Sequence, residues 1–192
     1  GAADNGLGVA ALVEFARSSW LRRRSDSNVI VLLTDAEEWG GKGAEAFLRL
    51  SPLAARVTAV VNLDSLGSNG PLIAYDLGTG PTSDVARWIS AAPGVNSAAT
   101  LQGLYALMPN TTDLSQFTAA GIPGVSLGYV LGDAQYHRSG DRVESLDPAQ
   151  IMRLGEALRY AVARFDGGIQ AIGSWRESIQ YLDPGAHPIT WG

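Results

Sequence analysis

Few residues in this chain could do chemistry, and most of them stand where an apolar run ends. Asp4 precedes the first helical pattern, Glu37 and Glu38 follow the run NVIVLLT, Asp64 follows VTAVVNL, and Tyr136 and His137 follow GVSLGY. Carboxylates and an imidazole gathered at one edge of a sheet repel one another unless a cation holds them. Hard or borderline divalent metals accept such O and N donors, and zinc is the usual choice where imidazole takes part. Cysteine is absent and His187 is the one other histidine, so a metal centre here is necessarily rich in carboxylates. The same absence excludes disulfides, thiolate sites and a cysteine nucleophile. Taken singly, each residue has a plainer role. Asp4 suits a helix N-cap, Glu37-Glu38 a solvated loop pair, Asp64 before a glycine-containing stretch a turn, and a lone histidine an ordinary surface or core position.

The elements that would position these groups follow from periodicity. Gly6 to Ser19 places Val9, Leu12, Val13 and Ala16 at helical spacing, which predicts a helix buried on that face. Arg22 to Asp26 form a polar turn. Asn28 to Thr34 and Val57 to Leu63 are short, nearly continuous apolar runs that predict strands buried on both faces. Pro71 to Tyr75 predicts a weaker strand, and Gly124 to Tyr129 another buried one. Helices are predicted over Lys42–Leu50, 83–91, Thr112–Ala120 (opened by a Thr or Asp cap) and Pro148–Phe165, the last started by the Asp147-Pro148 pair. Strands alternating with helices imply an α/β sandwich on a largely parallel sheet, whose ligands bind at the carboxyl ends of the strands. Residues 1–166 form the core in this reading, and 167–192, beyond a Gly-Gly pair, form a tail with no assigned element.

Composition sets outer bounds. The 192 residues suit one domain plus a tail, with 46% hydrophobic and 17% charged residues. A net charge of −5 without long charge runs argues against nucleic acid or an anionic membrane surface as partner. No apolar stretch approaches the roughly 18 residues of a membrane span.

The order of the motifs is more specific than any one of them. GAADNGLGVAALVEFAR, LLTDAEEWGGKGA, NLDSLG, TDLSQFTAAGIPGVSLGY and YHRSGDRVESLDP together resemble the dizinc exopeptidases of the aminopeptidase S / aminopeptidase Y family, over about Gly1 to Phe165. The resemblance implies a three-layer α/β/α sandwich with a mixed, mostly parallel sheet, and a zinc-dependent exopeptidase of the aminopeptidase type acting on a peptide substrate. It implies Asp4 as the carboxylate bridging two zinc ions, Glu38 and His137 on one zinc, and Asp64 on the other. Glu37 would be the general base and Tyr136 the group that holds the oxyanion. It implies a cis peptide bond between Asp4 and Asn5, and it favours a secreted or extracytoplasmic location.

Two departures accompany the match. The family's remaining ligand is a histidine in an H-x-D motif that would precede Gly1, together with the first strands. The zinc site of Asp4, Glu38 and His137 therefore has its full protein set here, and the second lacks one ligand; His187, in a Pro-rich segment, is a poor substitute. Leu114 stands where the family often has a non-ligating histidine. The alternatives are a glutaminyl-cyclase-like acyltransferase with one zinc, or an inactive relative. Asp4-Asn5 and Tyr136-His137, where cyclases tend to carry Asp-Ser and Trp-His, lean against the first. The intact set of ligand positions leans against the second.

Overall fold

A computed structural model describes residues 1–22, 28–65, 67, 70–76, 92–96, 111–130 and 135–165. Its sheet is built around the run GVSLGY, which forms strand β4 (Gly124–Tyr129) and is buried at every position. The other strands are β1 (Val60–Leu63), β2 (Leu72–Asp76) and the two-residue β3 (Val95–Asn96), in the order β1-β4-β2-β3. β1 runs parallel to β4 and β2 parallel to β3, whereas β2 and β4 are antiparallel. The sheet is thus mixed, with two of its three pairings parallel.

Helices cover both faces. α1 (Gly8–Arg22) packs against α4 (Pro148–Phe165) on one side, and α2 (Lys42–Leu50) against α3 (Asp113–Ala119) on the other. Alternation along β4 makes this possible. Val125, Leu127 and Tyr129 point into one cluster with Leu7, Ala11 and Phe15 from the first segment and Leu154, Ala157, Leu158 and Ala161 from α4. On the opposite face Gly124 leaves room for Leu114 of α3, which is fully buried against it. The position where the family often has histidine is therefore a packing position. Phe47 of α2 and Phe117 of α3 bring their rings to 6.2 Å.

α4 matches its expected bounds, with the Asp147 carboxylate accepting the Ala149 N–H at 2.8 Å. α2 also begins and ends where the pattern placed it. α3 opens at Thr112, whose N–H donates to Ser115 Oγ at 3.3 Å.

Three expectations need correction. The buried face of α1 is centred on Ala11, Phe15 and Ser18; of the expected Val9, Leu12, Val13 and Ala16, Leu12 packs half-buried against the core, Ala16 is half-buried, and Val9 and Val13 are about two-fifths exposed. Both faces of this helix are apolar, and α4 takes one of them, so helical spacing alone could not choose. The run Asn28–Thr34 belongs to no strand ladder among the described residues, and Val29, Ile30 and Leu33 are exposed. It lines a cleft of about 940 Å³ together with Val57–Leu63. A β-branched run signals a preference for burial and does not supply the neighbouring strand that would satisfy it. Third, only Val60–Leu63 of the VTAVVNL run is strand, and of those residues only Leu63 is buried, because β1 lies at the sheet's edge. By contrast β2, expected to be weak, has four buried residues in a row. The helix expected over 83–91 and the tail 167–192 lie outside the described residues.

Candidate metal centre

Four chain segments meet at one end of the sheet. The first is an irregular turn, Ala2–Leu7, in which Asp4 (φ −108°, ψ 97°) and Asn5 (φ −123°, ψ 30°) leave helical geometry and the Asp4–Asn5 peptide bond is cis. The Asn5 side chain donates to the Leu63 carbonyl at 2.6 Å, fastening this turn to the end of β1.

The second segment is the single 3-10 turn Glu37–Trp39. Ala36 before it is left-handed (φ 57°), and Gly40 (φ 82°) and Gly41 (φ 66°) after it are left-handed too. A side chain at Gly41 would press on Asp113 and Gln116 as well as strain the backbone, so glycine is favoured there. Gln116 of α3 donates to the Gly40 carbonyl at 2.9 Å and holds the turn from below.

Asp64, the third contributor, leaves β1 with its N–H bonded to the Leu127 carbonyl at 3.0 Å. Its carboxylate accepts the Tyr75 hydroxyl at 3.2 Å. Gly128 lies so close beneath that any Cβ there would overlap the Asp64 carbonyl.

The fourth segment is the turn that carries Tyr136 and His137, whose rings stack at 3.9 Å and 23°. His137 is left-handed (φ 56°), and together with Ala36 it makes up the non-glycine residues with positive φ among the described residues. Such residues are uncommon and cluster where surrounding structure overrides local preference. Both sit at this site.

The result is a compact donor set. His137 Nε2 lies 2.7 Å from Glu38 Oε1 and 3.2 Å from Asp4 Oδ2, and all three donor atoms fall within 4.8 Å of one another. Around them the charge is unbalanced. Burial, then Asp64, Glu38, Asp113 and Asp4, push the Glu37 carboxyl up to about 7. Burial and Asp4 push Asp64 up to about 6, with the Tyr75 hydrogen bond opposing. Asp4 is raised by burial despite the imidazole beside it. Tyr136 is pushed up to about 12 by burial and the same acids, so its phenol keeps its proton. This many carboxylates raising one another leaves a concentration of negative charge that a bound cation would relieve.

Asp4, Glu38 and His137 are thus brought within one ion's reach. Asp64 and Glu37 stand beside them in electrostatic contact but outside that three-donor group. The sequence reading offered Asp113 only as a possible helix cap and gave Asp141 no role; the Asp113 carboxylate accepts the Thr34 hydroxyl, and Asp141 accepts the Ala3 N–H at 2.6 Å and the Asp4 N–H at 3.1 Å. Both lie inside motif runs that also carry or follow site residues, and that was the available signal. Tyr75 gave none.

The pattern of peptidase family M28 matches residues 1–162. The chain belongs to that family. Among curated relatives, this M28 member is 26% identical over 162 residues to endoplasmic reticulum metallopeptidase 1 of Mus musculus, covering 81% of this chain and 18% of the relative. It is 27% identical over 149 residues to the vacuolar membrane protease of Yarrowia lipolytica, covering 74% of this chain and 14% of that protein. The chain therefore spans less than a fifth of the length of these relatives. Its fold matches an aminopeptidase from Aneurinibacillus sp. strain AM-1 with a TM-score of 0.67 at 23% identity, over 85% of this chain and 39% of that one. It also matches a zinc aminopeptidase from Bacillus subtilis with a TM-score of 0.68 at 22% identity, over 86% and 42%. The α/β sandwich read from the sequence is thus the fold of zinc aminopeptidases.

Proposed function

We propose that this chain is the metal-binding core of a zinc-dependent exopeptidase, an aminopeptidase, in which Asp4, Glu38 and His137 hold zinc. The observation that carries this is the approach of His137 Nε2 to both Glu38 (2.7 Å) and Asp4 (3.2 Å). Zinc bound at about 2.0–2.2 Å to N and O donors in a tetrahedron spaces those donors about 3.3 Å apart. The three side chains fit that demand with small side-chain adjustments. Asp64, close enough to Asp4 for their charges to interact, would with Asp4 hold a second zinc. Zinc supplies Lewis acidity, acidifying water and polarising the scissile carbonyl.

The chain's own residues supply proton transfer and orientation. Without metal, Glu37 is raised to about 7 by burial and then by its acidic neighbours. It takes a proton from the attacking water and returns it to the departing amine nitrogen, as a general base and then a general acid. Tyr136, protonated across the working pH range, donates a hydrogen bond to the oxygen on which negative charge develops. Stacking on His137 fixes the direction of that phenol.

Membership of peptidase family M28 supports hydrolysis of peptide bonds, and the aminopeptidases that share the fold support removal of amino-terminal residues. The endoplasmic reticulum and vacuolar membrane relatives support a lumenal or extracytoplasmic place of action. Among the described residues no helix is long and apolar enough to cross a membrane. Zinc content, together with hydrolysis of a panel of aminoacyl-p-nitroanilides, tests the proposal. Zinc-dependent release of p-nitroaniline is expected, and a metal-loaded protein inert on every aminoacyl substrate would overturn the aminopeptidase assignment.

A further inference from the structure

We infer that Asp141 is a positioning residue, one that sets the distance between the Asp4 carboxylate and the His137 imidazole. This rests on the metal-centre reading above and assigns a part of the chain that the ligand set leaves without a role. Three successive backbone N–H groups of the first segment end on this one residue. Ala2 donates to the Asp141 carbonyl at 3.2 Å, Ala3 to Oδ1 at 2.6 Å and Asp4 to Oδ2 at 3.1 Å. The Asp141 side chain is only 4% exposed, so these bonds are shielded from competing water. At its other end Asp141 closes the histidine turn: its N–H donates to the Arg138 carbonyl at 3.1 Å, and Arg138 N–H donates to Gln135 at 2.9 Å. One residue therefore ties the backbone of a ligand near the chain's start to the turn that carries another ligand near its end.

The chemistry requires a carboxylate. Two N–H donors converge on the side chain, and only an ionised Asp or Glu offers two acceptor oxygens. Asparagine preserves the shape but sets an NH2 against one of the two N–H groups. The carbonyl bond from Ala2 survives any substitution, which keeps the segments together while their fine spacing is lost. Residues that hold metal ligands in place commonly cost about 10–100-fold in metal affinity when replaced.

The test compares wild type, Asp141→Asn, Asp141→Ala and His137→Ala in the full chain. Zinc affinity is measured by competition with a chromophoric chelator, the visible spectrum with Co(II) bound, and the melting temperature without metal. The expected result is zinc affinity at least about tenfold weaker in Asp141→Asn, an altered Co(II) spectrum, and a metal-free melting temperature close to wild type. Wild-type zinc affinity and Co(II) spectrum in Asp141→Asn would overturn the inference, whether or not its melting temperature falls. Should Asp141→Ala not fold, Asp141→Asn decides alone. If wild type binds zinc no better than His137→Ala, the metal-centre reading itself is wrong, and the positioning role falls with it.

Discussion

His137 and Glu38 approach to 2.7 Å from two turns that each depend on a left-handed non-glycine residue, His137 itself and Ala36. Neither turn is what local preference would choose, so the meeting is imposed by the parts around it. Those parts are the α3 contacts beneath Gly40 and Gly41 and the hydrogen bonds that fasten Ala2–Asp4 to Asp141.

The adjacent acids Glu37 and Glu38 should separate cleanly on mutation. Glu37→Gln is expected to lower kcat by at least about 100-fold while zinc content stays at the wild-type level. Glu38→Gln is expected to weaken zinc binding directly, since Glu38 is the member of the pair that meets His137. Zinc stoichiometry by atomic absorption, with kcat on both variants, checks this; equal zinc loss in the two would show the roles reversed.

Tyr136→Phe removes the phenol and keeps the stacked ring. Loss of one oxyanion donor costs about 100–1,000-fold in kcat in well-studied cases. A fall in kcat of that order is expected here, with KM and zinc content little changed. A rise in KM alone would mean that the phenol binds substrate and takes no part in the reaction step.

Stability without metal should run opposite to the usual carboxylate pattern. Glu37, raised to about 7, and Asp64, raised to about 6, bind protons more readily folded than unfolded. The folded state therefore holds more protons through that window, and metal-free stability falls as pH rises from about 4 to about 7. Zinc competes with those protons, so the stabilisation it confers should grow over the same range. Melting temperatures with and without zinc at several pH values measure this, and a metal-free melting temperature that climbs from about pH 5 to 7 would contradict it.

Leu114 offers a control away from the chemistry. It is fully buried on Gly124, and Leu114→Ala should cost about 2–5 kcal/mol of stability. Zinc affinity of the folded variant should remain that of wild type, as measured by chelator competition below its melting temperature.

Much of the fold was legible because patterns of burial and capping are local. α2 and α4 were bounded by their periodicity, and GVSLGY announced the central strand. The misreadings had a common cause. Val9, Val13 and the run Asn28–Thr34 are apolar, and an apolar residue declares a preference without naming the surface that will satisfy it. The site shows the same division. Asp4, Glu38 and His137 were visible because their residue types have few other reasons to recur in that order. Asp141 lies within a motif run, but its bonds to the Ala3 and Asp4 N–H groups span more than 130 residues, and no local pattern announces them; the Tyr75 hydroxyl on Asp64 left no pattern at all.

Diffraction from zinc-soaked crystals, recorded on both sides of the zinc absorption edge, locates the ion without reference to activity. The expected result is an anomalous peak about 2.0–2.2 Å from His137 Nε2 and from a carboxylate oxygen of both Glu38 and Asp4. A peak elsewhere, or none at saturating zinc with His137 still hydrogen-bonded to Glu38, would contradict the metal centre on which the account rests.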